Sequence, residues 1–129
     1  IRNISGAQTG ALDPSYAMFW DWNSGYIMAK MEGEWWNKAS NGRSNLLFHV
    51  GGFRGQYKVL QTVKLYLPAV LKIQTGEKKT IVIKSDISEW FKTPNKIELP
   101  IVSVVASECI EAVNLSQNYA DMFQVDSIE

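Results

Sequence analysis

The sequence predicts a mainly β protein, an antiparallel β-sandwich-like domain with one helix late in the chain. Three observations predict it. Tyr26 to Met31 is an almost unbroken apolar run of strand length. Apolar and polar residues alternate from Tyr57 to Leu67, as on a strand with one wet face. From Ser107 the spacing changes, and Cys109, Ala112, Val113, Ser116, Tyr119, Ala120 and Phe123 recur at three and four, as on a helix lying against a sheet.

With 129 residues, 46% of them hydrophobic, the chain can bury one core and not comfortably two, so residues 1–129 read as one unit. Thirteen Lys and Arg balance thirteen Asp and Glu, which leaves no overall field to draw nucleic acid or anionic lipid. Cys109 is the one cysteine, so no intrachain disulfide is expected. No apolar run approaches a membrane span. Ile1 is not an initiator methionine, and Ile1–Gly6 lacks the basic start and apolar stretch of a signal peptide; an upstream segment is expected.

In order along the chain, residues 1–17 carry turn signals at Thr9-Gly10 and Asp13-Pro14-Ser15 and read as a loop approaching an aromatic corner. That corner is Phe19, Trp20, Trp22 and Tyr26, punctuated by Gly25. The strand over Tyr26–Met31 follows, covered on both faces, and Glu34–Asn45 then loses its pattern and reads as a surface loop holding Trp35 and Trp36. Leu46–Phe53 is a short strand with Leu46, Phe48 and Val50 on one face and Leu47 and His49 on the other. After the alternating strand, Pro68 stops pairing, and residues 71–74 and 80–84 flank Thr75-Gly76-Glu77-Lys78-Lys79 as a hairpin. Asp86 caps a short helical turn with Glu89 three residues on, and Pro94 limits it. A further extended segment is expected over residues 96–105, Ser107 as the cap of the late helix, and an extended or loose end over residues 124–129.

His49 is the one histidine, placed between Phe48 and Val50. A strand histidine is either a metal ligand, with one nitrogen on the ion and the other held by a partner, or a hydrogen-bonded structural residue. A zinc site needs three or four of His, Cys and carboxylate in close array, and no such spacing exists here. Soft Cu(I) tolerates imidazole and thioether, so His49 with Met18, Met28, Met31 or Met122 is a conceivable set, although methionine also serves as core filler. Cys109 has no basic neighbour to activate it. Asp21, Glu32 and Glu34 lie near the corner, but no motif of a hydrolase, phosphate loop or thiol enzyme accompanies them, and the chain reads as a non-enzyme. Trp35, Trp36 and Tyr26 form the alternative site, at which aromatics would contact glycan or protein.

Four blocks carry a resemblance. They are Ser5–Pro14 (SGAQTGALDP), Met18–Ile27 (MFWDWNSGYI) with Lys30 and Glu32-Gly33, Phe48–Phe53 (FHVGGF), and Asn118–Phe123 (NYADMF). Together, in order and over nearly the whole chain, they resemble the MbnP-like copper-binding family. The resemblance implies a secreted bacterial β-sandwich protein, periplasmic or lipid-anchored, often paired with a dihaem peroxidase-like protein. It implies further that a tryptophan oxidised to kynurenine binds Cu(I) together with histidine. Carried to this chain, the histidine is His49 and the tryptophan Trp20 or Trp22. Ring opening gives an aryl amine that a soft ion can use, whereas an intact indole offers only an N–H donor. Family members carry chain ahead of the Ser5-Gly6 block, so residues 1–129 are expected to be the C-terminal portion of a longer domain whose N-terminal strands and a second histidine lie upstream.

Overall fold

The apolar run after Gly25 forms a strand that continues well past its apolar part. The computed structural model describes residues 16–21 and 25–129. In it, β1 (Phe19–Asp21) leads to β2 (Gly25–Asn37), which pairs antiparallel with β3 (Gly42–Gly51) from Ile27↔Gly51 to Asn37↔Gly42. Only residues 38–41 turn, where the Asn37 carboxamide oxygen accepts from the Ala39 amide at 3.0 Å. The expected loop over Glu34–Asn45 is therefore corrected to a hairpin. Its outer half projects past the core, where a ladder needs backbone partners but no apolar face, so the hydrophobic signal fades while the pairing persists.

The register slips once within this hairpin: Ile27 and Ala29 oppose the consecutive residues Gly51 and Val50, so Met28 is the extra residue of a bulge. Beyond it, Ala29 and Met31 lie opposite Val50 and Phe48, while Lys30 and Glu32 lie opposite His49 and Leu47. The predicted division of β3 holds, with Phe48 and Val50 buried in the core and Leu47 and His49 half-buried on the other side.

β5 (Val104–Val105) adds parallel to β3, giving the order β1-β2-β3-β5. A second, two-stranded sheet pairs β4 (Ile81–Ser85) antiparallel with β6 (Phe123–Ile128). Between β4 and β6 in the chain come a 3-10 helix (Ile87–Phe91) and α1 (Ile110–Asp121). As expected, Asp86 caps the 3-10 helix, its Oδ1 accepting from the Ser88 amide at 3.0 Å and the Ser88 hydroxyl at 2.7 Å. These two bonds, the hydroxyl first, hold the Asp86 carboxyl below its ordinary range.

The core gathers Ala29, Phe48, Val50, Val59, Trp90, Ile97, Val105, Ala112 and Leu115. Phe48 meets the Trp90 ring edge to face at 6.1 Å, and the Trp90 indole donates to the Leu115 carbonyl at 2.9 Å. Asn118 is fully buried and fully used: its Nδ2 donates to the carbonyls of Trp90 and Asn95, and its Oδ1 accepts from the Asn95 amide at 2.8 Å. It ties the helix to the loop around Pro94.

Further expectations are corrected. Among the described residues the alternating segment 57–67 pairs with no strand; Val59 enters the core and its amide donates to the Gly52 carbonyl, but Leu60, Val63, Tyr66, Leu67, Val70 and Ile73 stand exposed beyond it. The chain does turn at Gln74–Glu77, with Gly76 at φ 84°, yet 71–74 does not pair with 80–84. β4 instead takes β6, closed by paired Thr80–Glu129 bonds of 2.7 and 2.8 Å. Alternation marks a segment as competent for a ladder without naming its partner. Finally, α1 starts after Cys109, which makes no side-chain cap, and Phe123 belongs to β6. Residues 96–105 contribute only the two residues of β5 to a strand. The expectations for residues 1–15 and for Trp22 lie outside the described residues.

Candidate functional site

The site forms on the face of the β2–β3 hairpin away from Phe48 and Val50. Strand alternation puts His49 and Gly51 of β3 on that face, and their pairing puts Lys30 and Glu32 of β2 beside them. His49 Nε2 stands 2.8 Å from Glu32 Oε1, and Lys30 Nζ stands 3.1 Å from the same oxygen. These contacts, the His49 bond first and Lys30 second, hold the Glu32 carboxyl below its ordinary value. An ionised carboxylate only accepts, so in this contact Nε2 is the donor and Nδ1 is the ring nitrogen left for another partner. Glu32 thereby orients the imidazole as a carboxylate does behind many metal-bound histidines.

Trp20 reaches this face through Gly51. A Cβ added at Gly51 would stand 2.7 Å from Trp20 Cζ3 and 2.9 Å from Cε3, so the indole rests directly on the glycine backbone. Gly51 and His49 are two residues apart on one strand face, a separation of roughly 6–7 Å between Cα atoms. The aromatic corner therefore brings Trp20 onto the strand face that bears His49. Met18 anchors this approach, its carbonyl accepting from the Ile27 amide at 2.7 Å. Phe19 packs edge to face on Tyr26 at 5.6 Å.

The alternative aromatic set is divided by the fold. Tyr26 is buried, Trp35 is half-buried with its indole nitrogen enclosed, and Trp36 is 59% exposed near the hairpin turn. Successive residues of a strand face opposite ways, so Trp35 and Trp36 cannot present one surface. The carboxylates of Glu34 and Glu32 are engaged separately; Glu34 bridges Arg43 at 2.9 Å and Glu32 contacts His49 at 2.8 Å, and the Asp21 side chain lies outside the described residues. Burial pushes the Cys109 thiol up, which leaves it a poor nucleophile. Among the described residues no three of His, Cys, Asp and Glu gather as a metal cluster, and no helix is long and apolar enough to cross a membrane.

The family model of MbnP matches residues 1–111, which takes in the aromatic corner, the hairpin and His49. The chain belongs to the MbnP family. No curated protein and no solved structure matches this MbnP chain. The match stops at Glu111, inside α1, so most of that helix and β6 lie beyond it.

The sequence nominates His49, Trp20 and Trp22 but gives no sign of Glu32 as the partner of His49. A cross-strand neighbour is set by register, and the register here runs through a hairpin that polar composition disguised as a loop.

Proposed function

We propose that this MbnP-family chain is part of a non-enzymatic, extracytoplasmic copper-binding protein whose site is His49 with the tryptophan of the neighbouring corner. One observation carries the reading: Trp20 rests on Gly51, on the strand face that bears His49, two residues away. The donor set suits a soft monovalent ion. Cu(I) accepts low coordination numbers and nitrogen donors, so His49 Nδ1 and one further donor suffice, which a hard or a tetrahedral divalent ion would not accept. Trp20 opened to kynurenine supplies that donor as an aryl amine; an intact indole does not. Trp22 remains the other candidate for this modification, and a dihaem peroxidase-like protein is the proposed partner. Glu32 holds the His49 ring in one orientation and brings negative charge next to a cation.

The test uses the full-length protein from its native host. A peptide map is expected to show the mass of kynurenine in the peptide holding Trp20 and Trp22, and His49→Ala is expected to lose tight Cu(I) binding in a competition with a chromophoric chelator. Unchanged affinity in that variant would remove His49 from the site. Of Trp35, Trp36 and Tyr26, the alternative reading as a glycan- or protein-binding surface keeps only Trp36 as an exposed contact.

A further inference from the structure

The chain has four methionines, and all four line one cleft of about 650 Å³. The cleft lies along β2, facing the 3-10 helix and the end of α1, with Trp90 and Tyr119 in its wall and Glu32 also lining it. The four residues come from separate places in the fold. Met18 precedes β1, and Met122 follows α1 with its carbonyl accepting from the Asp86 amide at 3.0 Å. Met28 and Met31 are three apart on β2, a spacing that unbroken alternation would send to opposite faces. The bulge at Met28 removes that obstacle, and both pack beside the core on the cleft side.

Core filling alone does not account for this arrangement. Met122 is buried at 6% exposure and Met28 and Met31 pack against the core cluster, yet Met18, Met28 and Met31 all stay partly exposed and all four line the same cleft. Thioethers are neutral, soft donors on flexible stems, able to converge without backbone movement. They take Cu(I) or Ag(I) and ignore hard cations. Glu32 lines the cleft as well, and its carboxylate contacts His49.

We propose that Met18, Met28, Met31 and Met122 form a thioether site for a soft monovalent cation, separate from His49 and Trp20 and adjoining them through Glu32. Only the physiological identity of the ion rests on the copper reading above; the donor set stands without it. Because the ion keeps its oxidation state, movement between the two sites is ligand exchange and needs no redox partner.

The probe is Ag(I), added to full-length protein carrying methyl-¹³C methionine, in the unsubstituted form and as His49→Ala. The ε-methyl signals of all four methionines are expected to shift in both forms. In the His49→Ala background, replacing the four by leucine, which preserves volume closely, is expected to weaken Ag(I) binding at least tenfold. Shifts at fewer than three methyls, or a response that vanishes with His49→Ala, would overturn the inference. Should the leucine variant fail to fold, the methyl spectra of the other two proteins decide alone. A methyl response with Cu(I) affinity untouched by His49→Ala would sustain the thioether site and sink the His49 reading; the opposite pattern would do the reverse.

Discussion

Trp20 and Gly51 are in contact so close that the smallest side chain at Gly51 would stand 2.7 Å from the indole and 3.1 Å from the Tyr26 carbonyl. The indole is consequently seated on the His49-bearing face of β3 by the absence of a Cβ. Gly51→Ala is expected to dislodge the Trp20 ring, because the backbone on the other side cannot yield as a side chain can. A change in tryptophan near-UV circular dichroism, with Cu(I) affinity falling in the same variant, checks it; an unaltered spectrum would mean that the contact does not hold the ring.

The carboxyl of Glu32 is held down first by its bond from His49 and second by Lys30. A depressed folded value means that this group favours the folded chain above its unfolded value and that the benefit is lost as pH falls through the folded midpoint. Carboxyl ¹³C titration is expected to place the Glu32 midpoint below the usual glutamate range. His49→Ala should raise it toward that range, and an unmoved midpoint would show that the His49 bond is not made in solution.

Asn118 is fully buried and satisfies three backbone groups of Trp90 and Asn95. Asn118→Ala strands these groups away from water and is expected to destabilise the fold by about 2–4 kcal/mol. Urea denaturation measures this directly. A loss below about 0.5 kcal/mol would mean that water reaches the groups.

Residues 60–73 carry a strand-like sequence without a strand partner among the described residues, and Tyr66 and Val70 are 83% and 86% exposed. Their amides are expected to exchange with solvent far faster than those of β2 and β3. Protected amides there would show that a further strand pairs with this segment, and the exposed apolar side chains would then be its covered face.

Some of this protein is settled by the chain alone, since it follows from interactions within a few residues. The cap at Asp86 is such a case, because acceptor and amide are two residues apart. The two faces of Leu46–Val50 are another, because alternation fixes them wherever the strand lies. The mainly β class and the late helix follow from period in the same way, and the resemblance to the MbnP family rests on blocks whose order the chain preserves. Tertiary structure decided what depends on a distant partner. Residues 81–85 took β6 rather than the nearby 71–74, for closeness in sequence eases closure without supplying a ladder that fits the rest of the fold. The bond from His49 to Glu32 depended on register along the hairpin, the seat of Trp20 on a missing Cβ across the corner, and the presence of both Met28 and Met31 in one cleft on a bulged residue. Each is a relation between surfaces, set when the elements pack, and no local pattern encodes it.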